Sequence, residues 1–279
     1  MKKILLSIGL LSIAYGSYAQ TYEFQTIKDI EANPVISQDN TGTCWSFATT
    51  SFLEAEVIRL TGKHIDLSEM YNVRNTYPKK AWNYVMRQGK AQFGEGGLAH
   101  DVINSARDFG VVPQSVYTGK LNADDKYNHA EMTAILEAML KTYVSNPAKK
   151  LSPQWKDAIN AVLDVYMGKN ITEFTYEGKK YTPKSFMEMT KLNPSDYVTI
   201  SSYTNEPYYK PFLLDIPDNF SNGSFYNLPL DEFVQNIDNA IENGYTVALD
   251  SDVSEVTFSG KIGVAAIPEK EEDAKLILT

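Results

Sequence analysis

The sequence contains a single cysteine, Cys44, and three histidines among its 279 residues. One cysteine cannot form an internal disulfide, so the fold must be stabilised by its hydrophobic core. Beyond the N-terminus no apolar run is long enough for a transmembrane helix. Positive charge is also scarce, since the formal net charge is −9. This acidic balance gives no support for nucleic-acid binding, which requires a basic surface.

The N-terminus has the three regions of a secretory signal peptide. Residues 2–3 are lysines, residues 4–14 form an apolar run, and residues 17–19 read Ser-Tyr-Ala, a small-x-small cleavage site. The apolar run is too short to span a bilayer. We therefore predict that residues 1–19 are a signal peptide and that the protein is exported, to the periplasm or out of the cell. A buried N-terminal helix is the alternative.

Cys44 lies where a loop runs into a predicted helix, six residues after Gln38. A helix N-terminus supplies partial positive charge and free backbone N–H groups, which favour thiolate over thiol. The Gln38 amide and the Cys44 N–H would give two donors to the oxyanion that develops in acyl transfer. A lone cysteine is more often a buried apolar side chain. In an oxidising compartment, however, a free thiol is prone to oxidation, so its presence here favours a function.

Hydrophobic periodicity predicts helices first and strands late. We expect helices over residues 44–60, from 68 onwards, and over 98–110, 131–144, 153–167 and 230–242. Pro78 is expected to kink or split the second of these helices. A hairpin is expected at 171–181, and strands at 197–202 and 245–249. This order predicts an α+β protein in two lobes, with Cys44 on a central helix of the first lobe. Zinc-ligand spacings and phosphate loops are absent from the sequence, so we expect no metal and no cofactor.

The Gln38 to Cys44-Trp45 segment resembles the active-site segment of papain-like cysteine peptidases. Further stretches are similar to the bleomycin hydrolase and aminopeptidase C branch of that superfamily, namely residues 66–69, 94–97, 108–113, and 226–229 together with 244–253. They follow the order of the family along the chain. The lack of structural disulfides and a long insertion at residues 117–222, predicted as helices and a hairpin, separate this branch from papain itself.

The resemblance implies that Cys44 is the nucleophile and that Gln38 is the side-chain donor of the oxyanion hole. Trp45 would pack beside the nucleophile, while Gly96 and Gly97 would offer backbone groups to an extended peptide. Each of these last three residues has a purely architectural alternative. The partners implied are peptide substrates, and the oligomeric state stays open.

In this family the catalytic histidine and its orienting asparagine lie in the second lobe, beyond the strand predicted at residues 245–249. The sequence ends at Thr279, and we expect neither residue before that point. The peptidase domain is thus predicted to cover residues 20–279, with its β-rich second lobe incomplete after about residue 253. The three histidines present are expected to be surface or core residues. Aspartates near the strand ends cannot replace an imidazole that must both activate a thiol and protonate an amine.

These observations predict a cysteine-type peptidase, similar to aminopeptidase C, that is inactive as this chain because its histidine is missing. One alternative is a noncatalytic peptide-binding pseudo-peptidase that keeps the cleft without turnover. Another is an exported structural domain with a spare thiol. The choice between exopeptidase and endopeptidase activity, and the side-chain preference, are left open.

Overall fold

The structure, a computed structural model, describes residues 24–254, 257–261, 263–266 and 270. The predicted signal peptide lies outside the described residues. The α-helices of the described chain are α1 (Cys44–Thr61), α2 (Glu69–Met86), α3 (Ala99–Phe109), α4 (Ala130–Ser145), α5 (Trp155–Met167), α6 (Pro183–Thr190) and α7 (Leu230–Glu242). Within the same residues, no helix combines the length and the apolar character needed to cross a membrane.

α1 begins at the predicted residue and ends within one residue of its predicted end. Gly62 terminates it in the left-handed conformation, with φ of 68°, which glycine adopts without the strain that a Cβ would cause. α1 contacts α2, α3 and α6, and ten of its residues are buried. The prediction of a central helix that carries Cys44 in its first turn is confirmed.

α2 begins where Ser68 caps it, since Ser68 Oγ accepts a hydrogen bond from Tyr71 N at 3.0 Å. Of the kink or split predicted at Pro78, the split is wrong, because α2 runs unbroken past this residue. A proline removes one helical hydrogen bond. Its neighbours Tyr77 and Ala81 are only 2% and 1% exposed, so their packing holds the helix together through the proline.

A single hydrophobic core joins the first six helices of the described chain. Its largest fully buried side chains include Leu53 of α1, Tyr77 of α2, Leu136 of α4, Leu163 of α5 and Phe186 of α6. Because α1 lies within this core, packing determines the position of its first residue. The core therefore places Cys44.

A short hairpin follows α5, as the sequence predicts. β1 (Phe174–Tyr176) pairs antiparallel with β2 (Lys179–Tyr181), and the turn between them places Glu177 at φ 47° and Gly178 at φ 76°. Two consecutive positive φ angles are typical of the turn that matches strand twist in tight hairpins. The sequence reading missed α6, which follows directly and is capped by Thr182.

A three-stranded sheet lies between α6 and α7 in the chain. β3 (Ile200–Ser201) pairs in parallel with β5 (Ser224–Asn227), and β4 (Pro211–Leu213) pairs antiparallel with β5 on its other edge. β3 is shorter than the strand predicted at residues 197–202. The strand predicted at residues 245–249 is wrong, since this segment is described and has no strand partner there. An apolar run does not form a strand unless its backbone groups find a second strand.

The described residues divide into two compact units. Residues 28–250 form one unit, which contains α1 to α7 and β1 to β5. The described residues outside that range belong to the other unit, in which β6 (Phe258–Ser259) pairs antiparallel with β7 (Val264–Ala265). The predicted domain limits, the insertion at residues 117–222 and the incomplete second lobe stay predictions.

Candidate active site

Cys44 is exposed at the first position of α1. The side chain of Thr43 does not cap the helix, and Thr43 Oγ1 instead bonds with Thr41 Oγ1 at 2.6 Å. Among the described residues, nothing accepts a hydrogen bond from the backbone N–H of Cys44 or Trp45. The first turn also contains no acidic side chain. The positive end of α1 is therefore open beside the thiol and can stabilise an anion there.

Gln38 is half-buried in the loop before α1. Its Nε2 donates to the Thr41 carbonyl at 2.6 Å, and Thr41 Oγ1 donates to the Gln38 carbonyl at 2.9 Å. These reciprocal bonds hold Gln38 in the turn that leads to Cys44. One hydrogen of Nε2 is used in this contact, and the second is left for another acceptor. The oxyanion role of Gln38 stays a prediction.

The same loop is attached to residues 127–128. Asp39 adopts a left-handed φ of 49°, and its Oδ2 accepts a hydrogen bond from Tyr127 N at 3.0 Å. Asn40 N donates to the Tyr127 carbonyl at 3.1 Å. Backbone strain at Asp39 is thus balanced by two hydrogen bonds that fix the approach to the nucleophile.

Glu95 joins the nucleophile loop to the glycine-rich loop, a role that sequence reasoning missed. Its Oε2 accepts a hydrogen bond from Gly42 N at 2.6 Å, and its carbonyl accepts one from Trp45 Nε1 at 2.9 Å. Its Oε1 lies 3.3 Å from Thr133 Oγ1 of α4. The available signal was a charged residue among the glycines of residues 94–97. Glu95 positions both sides of the candidate cleft.

Trp45 is buried with its ring against Gly97. A Cβ at Gly97 would lie 2.9 Å from Trp45 Cε2, closer than side chains approach one another in proteins. Glycine is therefore required at position 97 for the ring to pack there. Both residues have an architectural role next to Cys44, and substrate binding by either stays a prediction.

Gly96 lies between two side chains of opposite charge. Its carbonyl accepts a hydrogen bond from Lys80 Nζ, and a Cβ at Gly96 would lie 2.5 Å from Asp218 Oδ1. Because a carbonyl oxygen can accept two hydrogen bonds, a peptide strand that pairs with Gly96 must share this oxygen with Lys80. The peptide contact predicted for Gly96 stays a prediction under that constraint.

Lys80 connects the glycine-rich loop to residues 218–223. The side chain is buried, and burial lowers its pKa to about 8, while nearby carboxylates, Asp218 foremost, oppose this shift. Lys80 Nζ also lies 5.4 Å from the centre of the Phe220 ring. Sequence reasoning missed both Lys80 and Asp218, because no short motif marks either residue.

Buried carboxyl groups hold the start of α2 against α1. Glu54 Oε1 accepts a hydrogen bond from Leu67 N at 2.6 Å, and its Oε2 accepts one from Asn33 Nδ2 at 3.0 Å. Burial raises the pKa of Glu54 to about 7 and that of Glu69 to about 8. Oxygens of Glu54, Glu69 and Asp66 lie within 4.8 Å of one another, a spacing that a cation could bridge. Both Glu54 oxygens already accept N–H donors, so we assign this cluster to helix packing.

Comparisons with known proteins agree with this geometry. Residues 19–150 match the model of a family described as papain family cysteine protease. Over 244 residues the chain is 25% identical to "Cysteine proteinase 1, mitochondrial" of Saccharomyces cerevisiae, an alignment that covers 72% of this chain and 50% of the yeast protein. Over 113 residues it is 29% identical to "Thiol protease aleurain-like" of Arabidopsis thaliana, which covers 35% of this chain and 32% of that protein.

The crystal structure of PepW from Lactobacillus rhamnosis HN001 matches the described fold with a TM-score of 0.64 at 18% identity, over 79% of this chain and 59% of that chain. The likeness in structure shows the papain-like α+β fold, as the sequence predicts. The chain spans about half the length of the yeast relative it matches.

A papain-like nucleophile requires an imidazole partner. His64 is exposed and lies 3.1 Å from Asn33 Oδ1 and 3.0 Å from Glu31 Oε1. His129 is buried, its Nδ1 lies 3.3 Å from Tyr77 Oη, and burial lowers its pKa. None of these contacts involves Cys44. The expectation of surface and core roles agrees with both environments, and the position of the catalytic histidine stays a prediction.

The third histidine, His100, holds residues 218–223 over the start of α3. Its Nε2 lies 3.0 Å from Ser221 Oγ, which donates to the buried Asp101 Oδ1 at 2.7 Å. These are the residue types of a hydrolase triad, but Asp101 bonds the serine and His100 Nδ1 has no partner among the described residues. The order of contacts is therefore not that of a triad. A Cβ at Gly223 would overlap the His100 ring, so glycine permits this approach.

Proposed function

We propose that this chain carries the nucleophile half of a cysteine-type peptidase of the aminopeptidase C and bleomycin hydrolase branch. The supporting observation is the exposed Cys44 thiol at an uncapped helix N-terminus with free N–H groups beside it. The thiolate attacks the peptide carbonyl carbon, and the oxyanion accepts hydrogen bonds from the Cys44 N–H and Gln38. The C–N bond then breaks, the amine leaves with a proton, and water hydrolyses the thioester.

The thiol proton must pass to an imidazole that later protonates the leaving amine. The resemblance assigns this imidazole to the second lobe. For the chain by itself we propose peptide binding and a reactive thiol without efficient turnover. Turnover then requires the remainder of the second lobe, which contributes the histidine and its asparagine.

Alkylation tests the nucleophile half directly. Since Cys44 is the sole thiol, iodoacetamide at pH 6 should modify this residue rapidly, and Cys44→Ser should remove all labelling. Gln38→Ala should leave the alkylation rate within about twofold, because a small alkyl halide forms no oxyanion. Cys44 labelling no faster than that of an unstructured cysteine peptide would contradict the proposal.

A noncatalytic peptide-binding protein is the second candidate. It is favoured by the histidine contacts described above, which engage groups other than Cys44. This candidate predicts that peptides bind while Cys44 has the reactivity of an ordinary thiol. It also predicts that the coding sequence after Thr279 contains no histidine followed by an Asn-Ser-Trp strand, whereas the peptidase proposal requires one.

We propose aminopeptidase rather than endopeptidase specificity on the basis of Asp218. Its carboxylate lies against Gly96, and within the described chain it forms no hydrogen bond or close ion pair. A peptide docked on the glycine-rich loop would bring its terminal ammonium near this negative charge, with which Lys80 competes. In the complete enzyme, Asp218→Asn should raise KM for free-amine substrates by about tenfold. It should leave N-acetylated substrates unaffected, and an equal effect on both would contradict the assignment.

Export is a further proposal, supported by the basic, apolar and small-residue regions of residues 1–19. N-terminal sequencing of protein recovered from the producing cell should begin at Gln20. A mature chain that retains Met1 or Lys2 would overturn this proposal. The word "mitochondrial" in the name of the yeast relative applies to that protein.

A further inference from the structure

A cavity that does not include Cys44 lies beside α2. Its volume is about 590 Å³, within the range of pockets that hold small molecules. Helices α2 and α5 form much of its wall, and residues 220–222 close one side. Neither Cys44 nor Gln38 lines it. The cavity is therefore a distinct site within the unit of residues 28–250.

Aromatic side chains form the apolar part of this cavity. Four of them line it, and they are Trp82, Phe109, Trp155 and Phe220. Trp82 is 49% exposed, which is unusual for so large an apolar side chain. Walls of this kind accommodate a flat or aromatic body.

Positive charge accompanies the aromatic walls. Arg74, Lys79 and Lys156 line the cavity, while none of its lining residues is acidic. Lys79 is paired with Asp108 at 2.5 Å, whereas Lys156 forms no ion pair within the described chain. Arg74 is buried and bonds Asn160 and Asp164 through its terminal nitrogens, but its Nε has no partner among the described residues. A buried donor without an acceptor is costly, so this part of the structure retains an unsatisfied positive group beside the cavity.

The asparagines that line the cavity also offer hydrogen-bond donors. Every one of the five amide oxygens in the lining already accepts a hydrogen bond: Asn75 from Asn170, Asn83 and Asn222 from Arg87, Asn160 from Arg74, and Asn170 from the Ile171 N–H. The Nδ2 groups of Asn83, Asn160 and Asn222 make no hydrogen bond within the described chain. The lining therefore offers three unused amide donors to a ligand, while each of its amide oxygens is already bound by one donor.

We propose that this cavity binds a small anion with an aromatic body, such as an aryl carboxylate. The aromatic walls would stack on the ring, and the carboxylate would accept hydrogen bonds from the unused asparagine amides near the basic side chains. A neutral amide of the same shape carries no negative charge for the basic side chains and replaces one acceptor oxygen by an NH₂ donor. The cavity should therefore discriminate by charge and by acceptor capacity.

Calorimetric titration of the full chain with 2-naphthoate and with 2-naphthamide tests this proposal. Naphthoate should bind at least about tenfold more tightly than the amide, and Cys44→Ser should bind it equally well. Equal affinity for the two compounds would overturn the proposal. So would the absence of naphthoate binding at millimolar concentration.

Variants locate the site. Arg74 is buried, so its replacement could unfold the protein. Asn83→Asp and Asn222→Asp are better tests of the binding site, because each replaces an amide donor by a negatively charged acceptor at an accessible position. Each should weaken naphthoate by about tenfold or more. Asn236→Asp on α7 is the matched control and should have no effect. Unchanged affinity in both cavity variants, with circular dichroism showing an intact fold, would contradict the assignment.

Discussion

The first and last helices of the described chain, α1 and α7, are an instructive contrast. Ten residues of α1 are buried, whereas none of α7 is. Their N-termini also differ: the first turn of α7 carries Asp231 and Glu232, while that of α1 carries no acidic residue. Acidic side chains neutralise the partial positive charge of a helix start. In α1 that charge is left for Cys44 and for whatever anion forms beside it.

The comparison of α1 and α7 separates two properties, helix formation and burial, that the same periodic pattern of apolar residues is used to predict. Periodic apolar positions predict that both segments are helices, and both are. Burial depends on neighbours, and α1 has α2, α3 and α6 around it. A buried helix can hold its first residue in one place, and this is what a nucleophile needs.

The first prediction concerns thiol reactivity at the two helix starts. Leu230 is the first residue of α7 and is 64% exposed, so Leu230→Cys in a Cys44→Ser background gives a thiol at the equivalent helical position. Cys44 should react with iodoacetamide at pH 6 about tenfold faster or more, because no carboxylate opposes its thiolate in the first turn. Equal alkylation rates of the two thiols, measured by mass spectrometry, would contradict the proposal that the start of α1 makes Cys44 more reactive.

The second prediction concerns stability. Leu53 of α1 is 1% exposed, and Leu53→Ala should lower the free energy of unfolding by about 2–5 kcal/mol. Val234 of α7 is 47% exposed, and Val234→Ala should change it by less than about 0.5 kcal/mol. Urea titration monitored by circular dichroism measures both. A large loss for Val234→Ala would show that α7 is packed more tightly than its exposure indicates.

The third prediction uses the buried carboxyl groups at the junction of α1 and α2. Their pKa values rise on folding from 4.5 to about 7 for Glu54 and about 8 for Glu69. The folded chain thus holds protons that the unfolded chain has lost, so the stabilisation is complete below pH 4.5 and is lost as the pH rises through 7 and 8. Each group contributes at most about 1.4 kcal/mol per pH unit.

Glu69→Gln should flatten this dependence in urea titrations between pH 5 and 8. Asp231→Asn on α7 is the control, because that carboxylate is exposed. A dependence that is equally steep in the wild-type protein and Glu69→Gln would show that Glu69 is ionised in the folded state at these pH values.

The last prediction concerns the glycine-rich loop. Gly97→Ala should destabilise the protein by about 1–3 kcal/mol, since its Cβ meets the Trp45 ring. Gly94→Ala in the same loop is the control, because its Cβ would meet only the end of the Gln92 side chain at 3.6 Å. Equal unfolding free energies for the two variants would contradict the packing role assigned to Gly97.

Local signals were read correctly where they act within a few residues. Ser68 caps α2, Gly62 ends α1, and the Glu177-Gly178 turn forms a hairpin. Each depends on a side chain or a φ angle that its immediate neighbours determine. Pro78 misled the reading because the packing of adjacent residues outweighs one lost hydrogen bond. The strand expected at residues 245–249 failed because pairing requires a distant partner.

The sequence by itself determined that Cys44 begins a helix six residues after Gln38 and that the chain has the motifs of a papain-like segment. Only the tertiary structure decided what surrounds them. Glu95 bridges two loops, Lys80 and Asp218 enclose Gly96, and five asparagines line a cavity on α2. These contacts join residues far apart in the chain, and no local spacing encodes them. They form only when a common core brings the segments together.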